Sequence, residues 1–73
     1  MIRLQIAEDE PLARMAMLHS IDFAAHGFDV VAVSEDGKEA IEHFEAFQPD
    51  LVITDINMPY ISGLEVAKYI RES

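Results

Sequence analysis

The 73 residues contain no cysteine. A disulfide framework and a thiolate metal site are therefore both excluded. Long apolar runs are missing too: the longest are about four residues, against the ~20 that a membrane-spanning helix needs. The N-terminus lacks a basic stretch followed by an apolar one, so no signal peptide is expected. Positive charge is scarce, with 5 Lys and Arg against 14 Asp and Glu and a formal charge of −9. That excess of acid argues against direct contact with nucleic acid or an anionic lipid surface. The acidic charge suits a domain that meets metal ions and protein partners, and the lack of cysteine fits a cytoplasmic protein.

Half of the residues are apolar (51%), which is a globular composition. A chain this short forms one small domain at most, burying roughly 60% of its unfolded surface. The pattern alternates strand and helix. Residues 2–8 are apolar and partly alternating, as in a strand. Glu10-Pro11 opens a helix, with proline in the first turn where its missing N–H costs nothing. Ala13, Met17, Ile21 and Ala24 continue helical spacing through residues 11–25, Met15 and Leu18 widen the apolar face, and Gly27 ends it. Val30-Val31-Ala32-Val33 is a second strand, rich in β-branched residues. Ser34-Glu35-Asp36-Gly37 is turn chemistry with a cap for a helix over 37–47, which carries Ala40, Ile41, Phe44 and Phe47 on one side. Pro49 stops that helix. Leu51 to Asp55 is a third strand, and its unbroken apolar run suits burial on both faces. A loop from Asn57 to Gly63 leads to a third helix beginning with Leu64, Ala67 and Ile70. Neither a repeat beyond this alternation nor a low-complexity tract is present.

Alternating strands and helices predict an α/β fold, a doubly wound parallel sheet with right-handed crossovers. In strand order 2-1-3 the carboxyl ends of the first and third strands form the crevice where ligands bind. Glu8 and Asp9 end the first strand and Asp55 ends the third. Three acids gathered there repel one another, so one must hold a proton or a cation must sit between them. The cluster is a candidate for divalent-metal chemistry on a phosphoryl group, with Asp55 best placed as nucleophile.

These motifs resemble the receiver domain of two-component response regulators. Ile6-Ala7-Glu8-Asp9-Glu10-Pro11 is similar to that family's acidic first strand end. Leu51-Val52-Ile53-Thr54-Asp55-Ile56-Asn57-Met58-Pro59, followed by Gly63, is similar to its phosphoacceptor segment. Asp36-Gly37-Lys38-Glu39-Ala40 resembles the start of its second helix. Ile21-Asp22-Phe23 with His26-Gly27-Phe28 is similar to regulators whose output is an AraC-type DNA-binding domain. The resemblance implies a flavodoxin-like receiver of which residues 1–73 are the N-terminal βαβαβα portion. It implies Asp55 as the aspartate phosphorylated by a histidine kinase. Asp9 and Asp55 would bind Mg²⁺, Glu8 would hold it directly or through water, and Asn57 would add its backbone carbonyl. Pro59 and Gly63 would shape the loop after the acceptor. Glu8 stands where Asp is commoner in the family, which implies altered metal affinity. The family's switch Ser/Thr and its Lys match nothing here, Lys38 and Lys68 included. The resemblance thus implies a phosphoacceptor and not a turnover enzyme, with DNA contact only through a missing output domain.

Mg²⁺ suits such a site because it prefers oxygen ligands and retains several waters. An acyl phosphate on Asp55 would add about −1.5 to −2 charge. Without the switch hydroxyl and ammonium, the chain is expected to bind Mg²⁺ but to phosphorylate poorly. A different class of function stays open: a receiver-like interaction module that is never phosphorylated. Other residues read more simply. Asp50 is a turn residue at the opposite rim, and Glu10 is first-turn charge against the helix dipole. Glu39, Glu42 and Glu45 form a solvated face. Met15, Met17 and the phenylalanines are core, and His19, His26 and His43 lack metal-ligand spacing. An EF-hand beginning at Asp55 fails at Tyr60, where glycine is required. The third strand, left at a sheet edge, is expected to drive self-association.

Overall fold

A computed structural model describes residues 1–73. The first strand, β1 (Ile2–Ala7), lies at the centre of a three-stranded parallel sheet, between β2 (Phe28–Ser34) and β3 (Leu51–Thr54). Helices α1 (Pro11–Ser20), α2 (Gly37–Phe47) and α3 (Gly63–Glu72) join or follow the strands. The order β2-β1-β3 is the doubly wound arrangement expected from the sequence. Crossing from β1 to β2 moves one way along the sheet, and crossing from β2 to β3 moves back. With right-handed crossovers, α1 and α2 therefore cover opposite faces.

Registration of the strands assigns the two faces. Leu4 and Ile6 pair with Leu51 and Ile53, and Gln5 and Ala7 pair with Val52 and Thr54. In β2, Val31 is an extra residue, since Leu4 pairs with Val30 but Gln5 with Ala32. The face of Ala7 packs under α2 and α3, where Ala7, Ala40 and Val66 form a buried cluster supported by Ile41, Met58, Ile61 and Ile70. Gln5 is fully buried on that face. Its Nε2 donates to the Ala40 carbonyl (2.8 Å) and to Ser34 Oγ (3.2 Å), and Ser34 Oγ meets His43 Nδ1 at 2.8 Å. His43 is thus a structural tie between α2 and β2.

Helix α2 spans the expected residues. Asp36 caps it by accepting from the Glu39 N–H (2.7 Å), and Glu39 in return accepts from the Glu35 N–H (3.0 Å). Gln48, in the left-handed region at φ 47°, ends it one residue before Pro49. Ser62 caps α3 through the Glu65 N–H (3.2 Å), so that helix begins at Gly63. Asp50 lies at the opposite rim from the acids, where its Oδ2 accepts from the Arg3 N–H and its own N–H donates to the Arg3 carbonyl.

Several expectations are corrected. The first helix stops at Ser20, because Ile21 is extended and Asp22 accepts from the Ala25 N–H to start a separate 3₁₀ turn, Ala24–His26, closed by Gly27. Glu10 is the cap before that helix, accepting from the Leu12 N–H, rather than a first-turn charge. Neither Met15 (54% exposed) nor Phe47 (41%) is core, and α1 buries no residue fully. Phe47 is the last residue of α2; for Met15 the physical reason is coverage, because α2 and α3 both lie on the other face and α1 has no helical neighbour. For the same reason β3 is not buried on both faces, and Leu51 and Ile53 stay 42% and 43% exposed. Two of the three acids assigned to a solvated face are engaged: Glu39 at the helix cap, and Glu45 with the Tyr69 hydroxyl of α3.

Candidate functional site

The carboxyl ends of β1 and β3 are tied to each other and to β2. The Asp55 N–H donates to the Ala7 carbonyl (3.0 Å), which carries the ladder one residue past β3. The Glu8 N–H donates to the Ser34 carbonyl (3.0 Å), one residue past β1. These two bonds set Glu8, Asp9 and Asp55 at one rim. One carboxylate oxygen from each lies within 4.8 Å of the others, and all three side chains are half-buried. The Asn57 N–H approaches Asp55 Oδ1 at 3.4 Å, so Asn57 stands beside the cluster.

The electrostatics follow from this crowding. The Glu8 carboxyl is held above its ordinary value of 4.5, first because burial disfavours its charged form. The charge of Asp55 and hydrogen bonding with Asp55 and Asp9 push the same way, while the Glu10 N–H, which donates to Glu8 Oε2 at 3.2 Å, opposes them. Three carboxylates at this spacing therefore favour either a retained proton or a cation. The donors are hard oxygens only, a chemistry that fits Mg²⁺ or a similar divalent ion.

The loop after Asp55 is held by close backbone contact. A Cβ on Gly63 would lie 1.9 Å from the Asp55 carbonyl oxygen, and one on Gly37 would lie 1.9 Å from the Ile61 carbonyl oxygen. Only glycine allows α3 and α2 to approach this loop so nearly. The Gly63 N–H donates to the Ile56 carbonyl (2.8 Å), fixing the turn directly behind the acceptor. Within the loop, Tyr60 adopts φ 69°, an uncommon conformation for a bulky residue, and its side chain is exposed.

Two site-related features escaped the sequence reading. Ser62-Gly63-Leu64-Glu65 has the Ser-x-x-Glu spacing of a capping box and marked the true start of α3. Arg14 contacts the acidic loop, and nothing in its sequence context signalled that. A separate open groove of about 260 Å³ runs along β3, lined by Phe44, Leu51, Val52, Ala67 and Ile70 among others, and includes none of the three acids.

Comparison with known proteins agrees with this geometry. Residues 4–73 match the family model of the response regulator receiver domain. The chain belongs to the response regulator receiver family. It is 41% identical over 68 residues to the transcriptional regulatory protein PdtaR of Mycobacterium tuberculosis, covering 93% of this chain and 32% of that protein. It is 39% identical to the chemotaxis protein CheY of Bacillus subtilis, covering 96% of this chain and 57% of that one. The REC domain of AraT, a response regulator from Geobacillus stearothermophilus, superposes with a TM-score of 0.90 at 38% identity, covering 97% of this chain and 55% of that one. This receiver sequence thus spans about half of that structure and less than two thirds of either relative. The family is that of two-component signalling, and the flavodoxin-like receiver fold matches the order β2-β1-β3. No helix is long and apolar enough to cross a membrane.

Proposed function

We propose that residues 1–73 are the N-terminal part of a receiver in which Asp55 accepts a phosphoryl group from a partner histidine kinase. The observation that carries this reading is the convergence of Glu8, Asp9 and Asp55 within 4.8 Å at the ends of adjacent strands. Glu8, Asp9, Asp55 and the Asn57 backbone carbonyl would hold Mg²⁺. Bound there, the ion would offset the repulsion between these carboxylates and an incoming phosphoryl group.

The chain's own residues have separable parts. The Asn57 N–H approaches Asp55 Oδ1 at 3.4 Å, from where it would help to orient the carboxylate. An Asp55 oxygen attacks the phosphorus of a phosphohistidine, the P–N bond breaks, and the imidazole leaves with its electron pair. An acyl phosphate remains on Asp55. Glu8 holds a proton more readily than a free glutamate, which limits the negative charge of the cluster. The kinase is a protein partner, and any contact with DNA belongs to an output domain outside these residues. Regulation of transcription is the role that PdtaR's name supports, and a cytoplasmic location belongs to the same proposed reading. The unpaired outer edge of β3 is the element by which the isolated chain would self-associate.

Acetyl phosphate supplies the test. With MgCl₂, intact mass spectrometry should detect one added phosphoryl group at low occupancy, because the family's switch hydroxyl and ammonium have no counterpart in these residues. The adduct should vanish in Asp55→Asn and on chelation with EDTA. An adduct that persists in Asp55→Asn would place the acceptor elsewhere. Its absence from the parent chain under every condition would favour a receiver-like module that is never phosphorylated.

A further inference from the structure

Arg14 is one of only five Lys and Arg residues in the chain and lies nearest, in sequence, to the acidic loop. It sits one turn into α1, its N–H donating to the Glu10 carbonyl (2.9 Å). Its side chain turns back over the site. Nη1 donates to the Glu8 carbonyl at 2.8 Å, and Nη2 pairs with Glu35 Oε1 at 3.0 Å. The two partners belong to different loops: Glu8 follows β1, and Glu35 follows β2. The Arg14 side chain is only 16% exposed, whereas Glu35 is 63% exposed. The Glu35 N–H is itself fixed by Glu39 of α2. A single guanidinium therefore joins the acidic loop to the turn that opens α2.

An exposed ion pair alone contributes little. The bond to the Glu8 carbonyl is different in kind, because a charged donor on a backbone acceptor constrains the peptide that carries the Glu8 and Asp9 side chains. We infer that Arg14 is a positioning residue, which fixes the Glu8–Asp9 peptide so that both carboxylates converge on Asp55, with Glu35 holding the free arm of its fork. The inference rests on the Mg²⁺ reading of the site. It also has a sign that plain electrostatics cannot imitate. A cation beside a metal site weakens metal binding, so deleting it should tighten Mg²⁺. Loss of positioning should do the opposite, and removal of groups that orient metal ligands costs about 10–100-fold in affinity.

The test is an Mg²⁺ titration of the full 73-residue chain, followed by the backbone amide NMR signals of Glu8, Asp9 and Asp55, with urea unfolding run in parallel. Arg14→Ala should raise the Mg²⁺ dissociation constant about 10-fold. Arg14→Lys, which keeps the charge and loses the fork, should also weaken binding. Glu35→Gln, which leaves the Arg14 bond to Glu8 in place, should weaken it less. If Arg14→Ala does not fold, the Lys and Gln variants decide between the same outcomes. Unchanged or tighter Mg²⁺ binding in Arg14→Ala, or in both other variants, overturns the inference. Failure of the parent chain to bind Mg²⁺ would instead remove the site reading on which it rests.

Discussion

The Glu8 carboxyl holds its proton more tightly than a free glutamate, chiefly through burial and then through Asp55. The sign of its contribution to stability follows from that direction. A group whose value is raised by folding contributes stability that is fully present below the unfolded value of 4.5 and is lost as pH rises through the folded value. In the metal-free chain at neutral pH, the charged Glu8 is thus a liability. Glu8→Gln should raise the urea midpoint at pH 7 in EDTA, and the gain should shrink as the pH falls toward 4.5. A gain that grew on acidification would mean that Glu8 is favourably paired in its charged form. The same crowding made this residue legible in advance. Two acids at the end of one apolar run and a third at the end of another are visible in the order of residues. Arg14 was not, since its two partners lie on loops that only folding brings together.

Among the elements, the junction of β3 and α3 depends most on a single atom. Gly63 lies against the Asp55 carbonyl, so Gly63→Ala must push either the helix or the acceptor peptide aside. Overpacking of this kind costs about 1–3 kcal/mol, and urea unfolding should register a loss in that range together with weakened Mg²⁺ binding. A neutral substitution would show that α3 can shift without disturbing Asp55. Helix α2 was readable because Asp36 and Pro49 bracket it with strong local signals. The first helix was over-extended because Ile21 and Ala24 keep helical spacing past Ser20. There the Asp22 side chain competed with the helix for backbone N–H groups, and periodicity does not record that competition.

At the scale of the molecule, the two faces of the sheet are covered unequally: Leu4 and Ile6 of the central strand are buried on the face of α1, but that helix buries no residue of its own fully. The fully buried cluster of Ala7, Ala40 and Val66 lies between the sheet and the α2–α3 layer, while α1 stands alone on its face. The sequence pattern placed Met15, Met17 and the phenylalanines in the core, yet Met15 and Phe47 are exposed. Hydrophobicity identifies which residues could be buried, but coverage by a second layer decides which are. Leu51 and Ile53 are partly exposed on a strand whose outer edge pairs with nothing, the arrangement that templates association between chains. Analytical ultracentrifugation at micromolar concentration should therefore find species larger than a monomer, and Ile53→Lys should reduce them. A compact monomer throughout would mean that the edge is protected by its own twist or by the flanking residues.

The central claim is that Glu8, Asp9 and Asp55 make one cation site with Asp55 as acceptor. Titration of the chain with Mg²⁺, followed by NMR, addresses it most directly. Saturable shifts confined to Glu8, Asp9, Asp55 and Asn57, and lost in Asp55→Asn, are predicted. Weak, unsaturable shifts spread over the acidic surface, and unaltered by Asp55→Asn, would contradict it.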